Sequence, residues 1–265
     1  MLRRLVNDVA RAAALRAAQQ YTASTSGVQH VRKAYALYEV HQSTLAMSSD
    51  IKAELLGLSP RSLAHERPMD QPAPGVEESW IRKALLTLGG FYSRESRLIR
   101  GANGLYTDIV EQATNKDFYT AFGLEYRFAT TYSLLCLHVW LALVRLRVEA
   151  KDGKDLAQMM YDNFQEDVEI RVRAEGVKVR VGKWLTDLEK NFYGSSLAYD
   201  NALKGEGEMA EALYRNVYGM EDGKRKQAEA LARYVQRELA CLAMTDTEAV
   251  MSGKLKFSSD FLGGE

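Results

Sequence analysis

The chain has 265 residues, enough to bury a substantial core in one good-sized domain or two small ones. Lys plus Arg equal Asp plus Glu at 35 each, so bulk charge does not point to nucleic acid as the main ligand and no direct nucleic-acid readout is expected. Two cysteines, Cys136 and Cys241, stand far apart in apolar stretches and make neither a disulfide framework nor a paired-thiol metal knuckle.

The first twenty residues, MLRRLVNDVARAAALRAAQQ, are rich in Arg and Ala with one acid. On a helical wheel Leu2, Leu5, Val6, Val9 and Ala13 share one face and Arg3, Arg4 and Arg11 lie opposite. Thr22, Ser24, Thr25 and Ser26 follow. This pattern predicts a mitochondrial targeting segment over residues 1–26. Val28 to Leu56 reads as one or two peripheral helices. All four prolines, Pro60, Pro68, Pro72 and Pro74, then fall together, and proline breaks helices, so residues 27–74 are expected to hold N-terminal helices and a Pro-rich linker. From Gly75 onward there is no proline, which favours uninterrupted helices over residues 75–265.

Helical periodicity recurs after the linker. Glu77 to Tyr92 is the first candidate, and Leu105 to Thr114, entered through the turn-like pair Asn103-Gly104, the second. Leu124 to Glu149 reads as one long helix. Its uncharged run 128–144 is shorter than the roughly 20 apolar residues a membrane span needs, and Thr130, Thr131, Ser133 and His138 dilute it, so a buried central helix is expected. Leu156 to Ala174 follows the pair Asp152-Gly153 and carries Leu156, Met160, Phe164 and Val168 at i, i+4 spacing. Val179 to Leu203 and Glu208 to Tyr218 come next. Lys224 to Met244 follows Asp222-Gly223 with Ala228, Leu231, Val235, Leu239 and Leu242 on one stripe. No alternating stretch is long enough to build a sheet. The expected fold is all-α, a single bundle of about seven to nine helices after a flexible N-terminal region.

Catalytic motifs are scarce. His30, His41, His65 and His138 are scattered and fit no zinc spacing. There is no phosphate-binding loop, nucleophile elbow or dinucleotide fingerprint. Asp162, Glu166 and Glu169 share one helix face, which leaves open a magnesium-dependent isoprenoid transferase of the helical type. That chemistry needs a second acidic motif, and Asp200 has no acidic neighbour at four residues. The competing reading is an ion-pair ladder, because Asp167 precedes Arg171 and Glu169 precedes Arg173 by four. An aromatic cluster, Trp184, Phe192, Tyr193, Tyr199, Tyr214 and Tyr218 with Arg215 and Asn216 among them, reads either as core or as a protein-binding face.

The order of these pieces carries a resemblance. Phe118-Tyr119-Thr120-Ala121-Phe122-Gly123-Leu124 leads into the long apolar helix with His138 and Trp140. Met160-Tyr161-Asp162-Asn163-Phe164 and Asp167-Val168-Glu169 follow. Gly176-Val177, Lys183-Trp184, Phe192-Tyr193-Gly194, Ala198-Tyr199-Asp200, Arg215-Asn216 and Tyr218-Gly219 complete the series. Over residues 105 to 245 the chain resembles the ubiquinol-cytochrome c chaperone family, assembly factors for the mitochondrial cytochrome bc1 complex. The resemblance implies a non-enzymatic helical chaperone on the matrix side of the inner membrane. It also implies binding of newly made cytochrome b near the mitochondrial ribosome, work with a small helical partner protein, and peripheral contact with the membrane. It implies no catalytic residue, metal or cofactor. A permanent structural subunit of a mitochondrial complex is the remaining alternative. The residues expected to meet a partner are Tyr161, Asp167, Trp184, Tyr193, Tyr199 and Arg215, with Trp184 expected as buried scaffold.

Overall fold

The computed structural model describes residues 59–65 and 93–259. The expected targeting segment, the helices over 28–56, most of the proline window and the helix over 77–92 lie outside them. Among the described residues there are eight α-helices and no strand, with one isolated antiparallel bridge between Ala64 and Leu255. The helices are α1 (Arg94–Thr114), α2 (Lys116–Ala121), α3 (Phe128–Leu146), α4 (Ala150–Ala174), α5 (Val181–Lys204), α6 (Met209–Asn216), α7 (Arg225–Met244) and α8 (Thr247–Met251).

Helix α3 is the axle of the bundle, packed by α1, α4, α5 and α7. By length and composition it could cross a membrane, yet 83% of its apolar window is buried inside the protein. Its buried polar groups are satisfied within the protein. The His138 ring sits in the core, with Nδ1 against the Leu134 carbonyl at 2.8 Å and Nε2 against the Tyr234 hydroxyl at 2.9 Å. Burial lowers the His138 pKa to about 4, so the ring is neutral across the physiological range. The expected stripe of α4, Leu156, Met160, Phe164 and Val168, is buried throughout.

Two glycine pairs read as turns lie inside helices instead. Helix α1 begins at Arg94, capped by the Ser93 hydroxyl, which accepts from the Ser96 amide. Its Gly101 and Gly104 pass against the chain after α8: a Cβ at 101 would lie 2.2 Å from the Met251 carbonyl oxygen, and one at 104 would lie 2.7 Å from that of Gly253. Glycine is there to let two backbones touch, not to reverse the chain. Gly153 likewise belongs to α4, where a Cβ would meet the Leu146 carbonyl oxygen at 2.5 Å. The long helix is shorter than expected, because Gly123 at φ +59° ends α2 and residues 124–127 connect it to α3. Helix α2, capped by Asn115, and α8, capped by Asp246, are too short to show periodicity in a sequence.

Part of the expected linker is docked. Leu63 is buried, its amide donates to Thr245 Oγ1 at 2.9 Å, and its carbonyl accepts from the Lys256 amide at 2.9 Å. The tail after α8 is held as firmly: Leu255 and Phe257 are buried, and the Ser258 amide donates to Glu238 at 3.2 Å.

Candidate protein-docking surfaces

The six residues expected to meet a partner do not form one patch. Tyr161 on α4 and Tyr193 on α5 do come together, the Tyr161 hydroxyl donating to that of Tyr193 at 3.2 Å. Tyr193 donates onward to Glu189 at 3.2 Å, and Gln165 donates to Tyr161 at 2.6 Å. Burial raises both phenol pKa values, that of Tyr193 to about 12. Tyr161 is buried, and only Tyr193 is within reach of a partner. Asp167 lies on the other side of α4, accepting from the Tyr106 hydroxyl at 2.7 Å and paired with Arg171 at 2.6 Å. It fastens α4 to α1.

Tyr199 is 1% exposed and packs its ring against Trp140 at 5.2 Å between centroids. The next residue, Asp200, accepts from Trp140 Nε1 at 2.9 Å and takes both Arg147 amino groups at 3.0 and 3.1 Å. The acid without an acidic neighbour in sequence is thus the acceptor that ties α5 to α3 and to the turn after it. Trp184 is the reverse correction. It was expected as scaffold, but it is 53% exposed at the first turn of α5. Arg215 is exposed on α6 and pairs with Glu211, which also pairs with Arg225; the Arg225 guanidinium lies 4.5 Å over the Tyr214 ring. Phe192, Tyr214 and Tyr218 are buried, so most of the aromatic cluster is core.

The acidic face of α4 carries its ion pairs as the spacing suggested: Arg171 with Asp167 and Arg173 with Glu169, both at 2.6 Å. Asp162 accepts from Gln158 at 2.8 Å. Among the described residues no group of three or more His, Cys, Asp or Glu is placed to hold a metal ion. Burial also raises the Cys136 and Cys241 thiols to about 12 and 11, so neither is a ready thiolate.

Two surface grooves open among the described residues. The larger, about 1170 Å³, runs between the first half of α1, the start of α4 and α8. Its rim has five bases, Arg94, Arg97, Arg100, Lys151 and Lys254, against the acids Glu149, Asp152 and Glu248. A smaller one of about 330 Å³ lies between α6 and α7 beside Tyr214 and Arg225. The buried polar groups described above brace one helix on another, and what the surface offers is open, mixed apolar and charged relief of the kind that chain–chain contacts use. The fold is an all-helical bundle with open grooves between its helices.

The chain belongs to the ubiquinol-cytochrome c chaperone family, whose profile matches residues 120–257. Relatives include the ubiquinol-cytochrome c reductase complex assembly factor 1 of mouse, 28% identical over 58% of this chain and 53% of its own length. The human protein of that name is 26% identical over 71% of this chain and 65% of its own. Protein CBP3, mitochondrial, of Saccharomyces cerevisiae is 29% identical over 57% of this chain and 47% of its own. The chain therefore spans about half to two thirds of the length of these relatives. The crystal structure of the Cbp3 homolog from Brucella abortus superposes with a TM-score of 0.56 at 29% identity, covering 67% of this chain and 97% of that one.

Proposed function

We propose that this protein is a mitochondrial assembly factor for the cytochrome bc1 complex, acting by binding and not by catalysis. The observation that carries this reading is the family match over residues 120–257, which takes in α3 to α8 entire. Its client is newly made cytochrome b, held on the matrix side of the inner membrane together with a small helical partner protein. Of the six expected contact residues, Tyr193 and Arg215 are the ones we assign to the client, while Tyr199 and Asp167 hold the frame that presents them.

Affinity capture from mitochondria, with and without active mitochondrial translation, tests this. Cytochrome b should be recovered only while translation runs, and the chain should be missing from the mature complex. Tyr193→Ala with Arg215→Ala should weaken capture by about thirtyfold per hot-spot residue, at roughly 2 kcal/mol each, and by far more than the fraction unfolded in a thermal melt of the same variant, since Tyr193 also holds Tyr161. Recovery of the chain in stoichiometric amounts with the mature complex would make it a structural subunit instead.

A further inference from the structure

We infer that the connection between α4 and α5 is a membrane-surface contact, in which Val179 and Trp184 enter the headgroup region of an anionic bilayer and Lys178, Arg180 and Lys183 face its phosphates. Val179 is 74% exposed and Trp184 53%, two large apolar side chains left open to solvent. Val177, two positions before Val179, is half-buried against the core and anchors the base of the loop. Position matters as much as exposure. The Tyr132 hydroxyl, one turn into α3, donates to the Leu188 carbonyl. Trp184 stands four residues nearer the tip, about 6 Å along the helix, so the tip lies toward and beyond the start of α3.

Charge at this tip departs from the balanced whole. Residues 173–184 contain four bases, Arg173, Lys178, Arg180 and Lys183, and one acid, Glu175. Arg173 is taken up by Glu169. Lys178, Arg180 and Lys183 have no ion pair among the described residues, and all three are exposed. Tryptophan at an apolar–polar boundary with bare lysine and arginine beside it is the composition that settles at a lipid interface. The few apolar side chains of a twelve-residue tip fall well short of the roughly 800 Å² per side of a stable protein interface. A bilayer asks for less, since a few inserted side chains and a handful of bases each add to binding.

The test uses the full chain with Val179→Cys carrying an environment-sensitive dye; Cys136 and Cys241 are buried and resist labelling. A second sample carries the dye at Glu206→Cys, at the far end of α5. Each is mixed with phosphatidylcholine vesicles with or without phosphatidylglycerol. The dye at 179 should shift to the blue on anionic vesicles only, and the dye at 206 should not respond. Adding K178E, R180E and K183E should lower the vesicle partition coefficient on the order of a hundredfold, and Trp184→Ser should lower it further. Vesicle binding with a silent dye at 179 would assign the contact to another part of the chain, such as the basic residues 1–20, and overturn the inference. So would equal partitioning of the charge-reversed variant, or a response to single-stranded RNA with none to vesicles. Because the label at 179 reports on wild-type charges, the result stands even where the triple variant folds poorly. Client capture is a separate observable, so either result leaves the assembly-factor reading to its own experiment.

Discussion

Removing the Asp200 carboxylate tests the account of the core most directly. Asp200 joins three elements at one point: it accepts from the indole of Trp140 in the middle of α3, and it takes Arg147 just past the end of α3 through both amino groups. The two charged side chains are only 10% and 14% exposed, so water cannot replace the lost partner. Breaking a buried pair in this way costs about 3–5 kcal/mol, because the surviving guanidinium stays buried without its carboxylate. The indole also loses its acceptor, which overlaps with that cost and is not simply additive. For a chain of this size each kcal/mol moves the melting temperature by about 2–4 °C, so Asp200→Ala should lower it by roughly 6–20 °C in a thermal melt followed by circular dichroism. The double variant Asp200→Leu with Arg147→Met removes both charges and should recover most of the loss. An Asp200→Ala melt within about 2 °C of the parent would refute the clamp. A double variant no better than the single would show that Asp200 acts through Trp140 alone.

Other expectations follow from the same frame. His138 has its pKa lowered by burial to about 4, against an ordinary 6.5, so the unfolded chain binds a proton in that interval and the folded one does not. Stability from this residue is therefore full above about pH 6.5 and is lost as pH falls toward 4, by roughly 3 kcal/mol. Urea unfolding of the parent and of His138→Gln across this range should show the steeper slope in the parent; parallel slopes would mean that the ring is not sealed. Gly101→Ala should destabilise by about 1–3 kcal/mol even though alanine is the better helix former, because its Cβ would press on the Met251 carbonyl. A melt raised or unchanged by that substitution would show that the tail after α8 can move aside.

Helix existence was legible because it is a local property. The stripe Leu156, Met160, Phe164 and Val168 needs nothing outside α4 to announce itself, and all four are buried as the spacing requires. What failed was local signal set by distant contact. Asn103-Gly104 and Asp152-Gly153 look like turns to any reading that stops at the neighbouring residues. In the fold the glycines of α1 answer to Met251 and Gly253, about 150 positions away, whereas Gly153 answers to Leu146, the nearby end of the preceding helix. Asp200 was opaque for the same reason, since its partners lie 60 and 53 positions off.

The contact surface was less legible than the frame, and the reason is physical. The resemblance to the ubiquinol-cytochrome c chaperones is carried by large aromatic residues in a fixed order. Phe118, Phe122, Trp140, Tyr161, Phe164, Phe192, Tyr199 and Tyr218 belong to that order, and every one is buried. They interlock ring against ring: Phe118 with Phe122 and Tyr234, Phe164 with Tyr161, Phe192 and Tyr132, Trp140 with Tyr199. Side chains of that size are tied to one another's positions by packing, so they mark the frame and say little about what the frame holds. Binding residues carry no comparable signature. Val179 between Lys178 and Arg180 is an unremarked string in a sequence, and only the fold shows that it stands exposed at the connection between α4 and α5. The one large aromatic of the motif series left half in solvent, Trp184, sits beside that same string, where membership of the frame does not account for it.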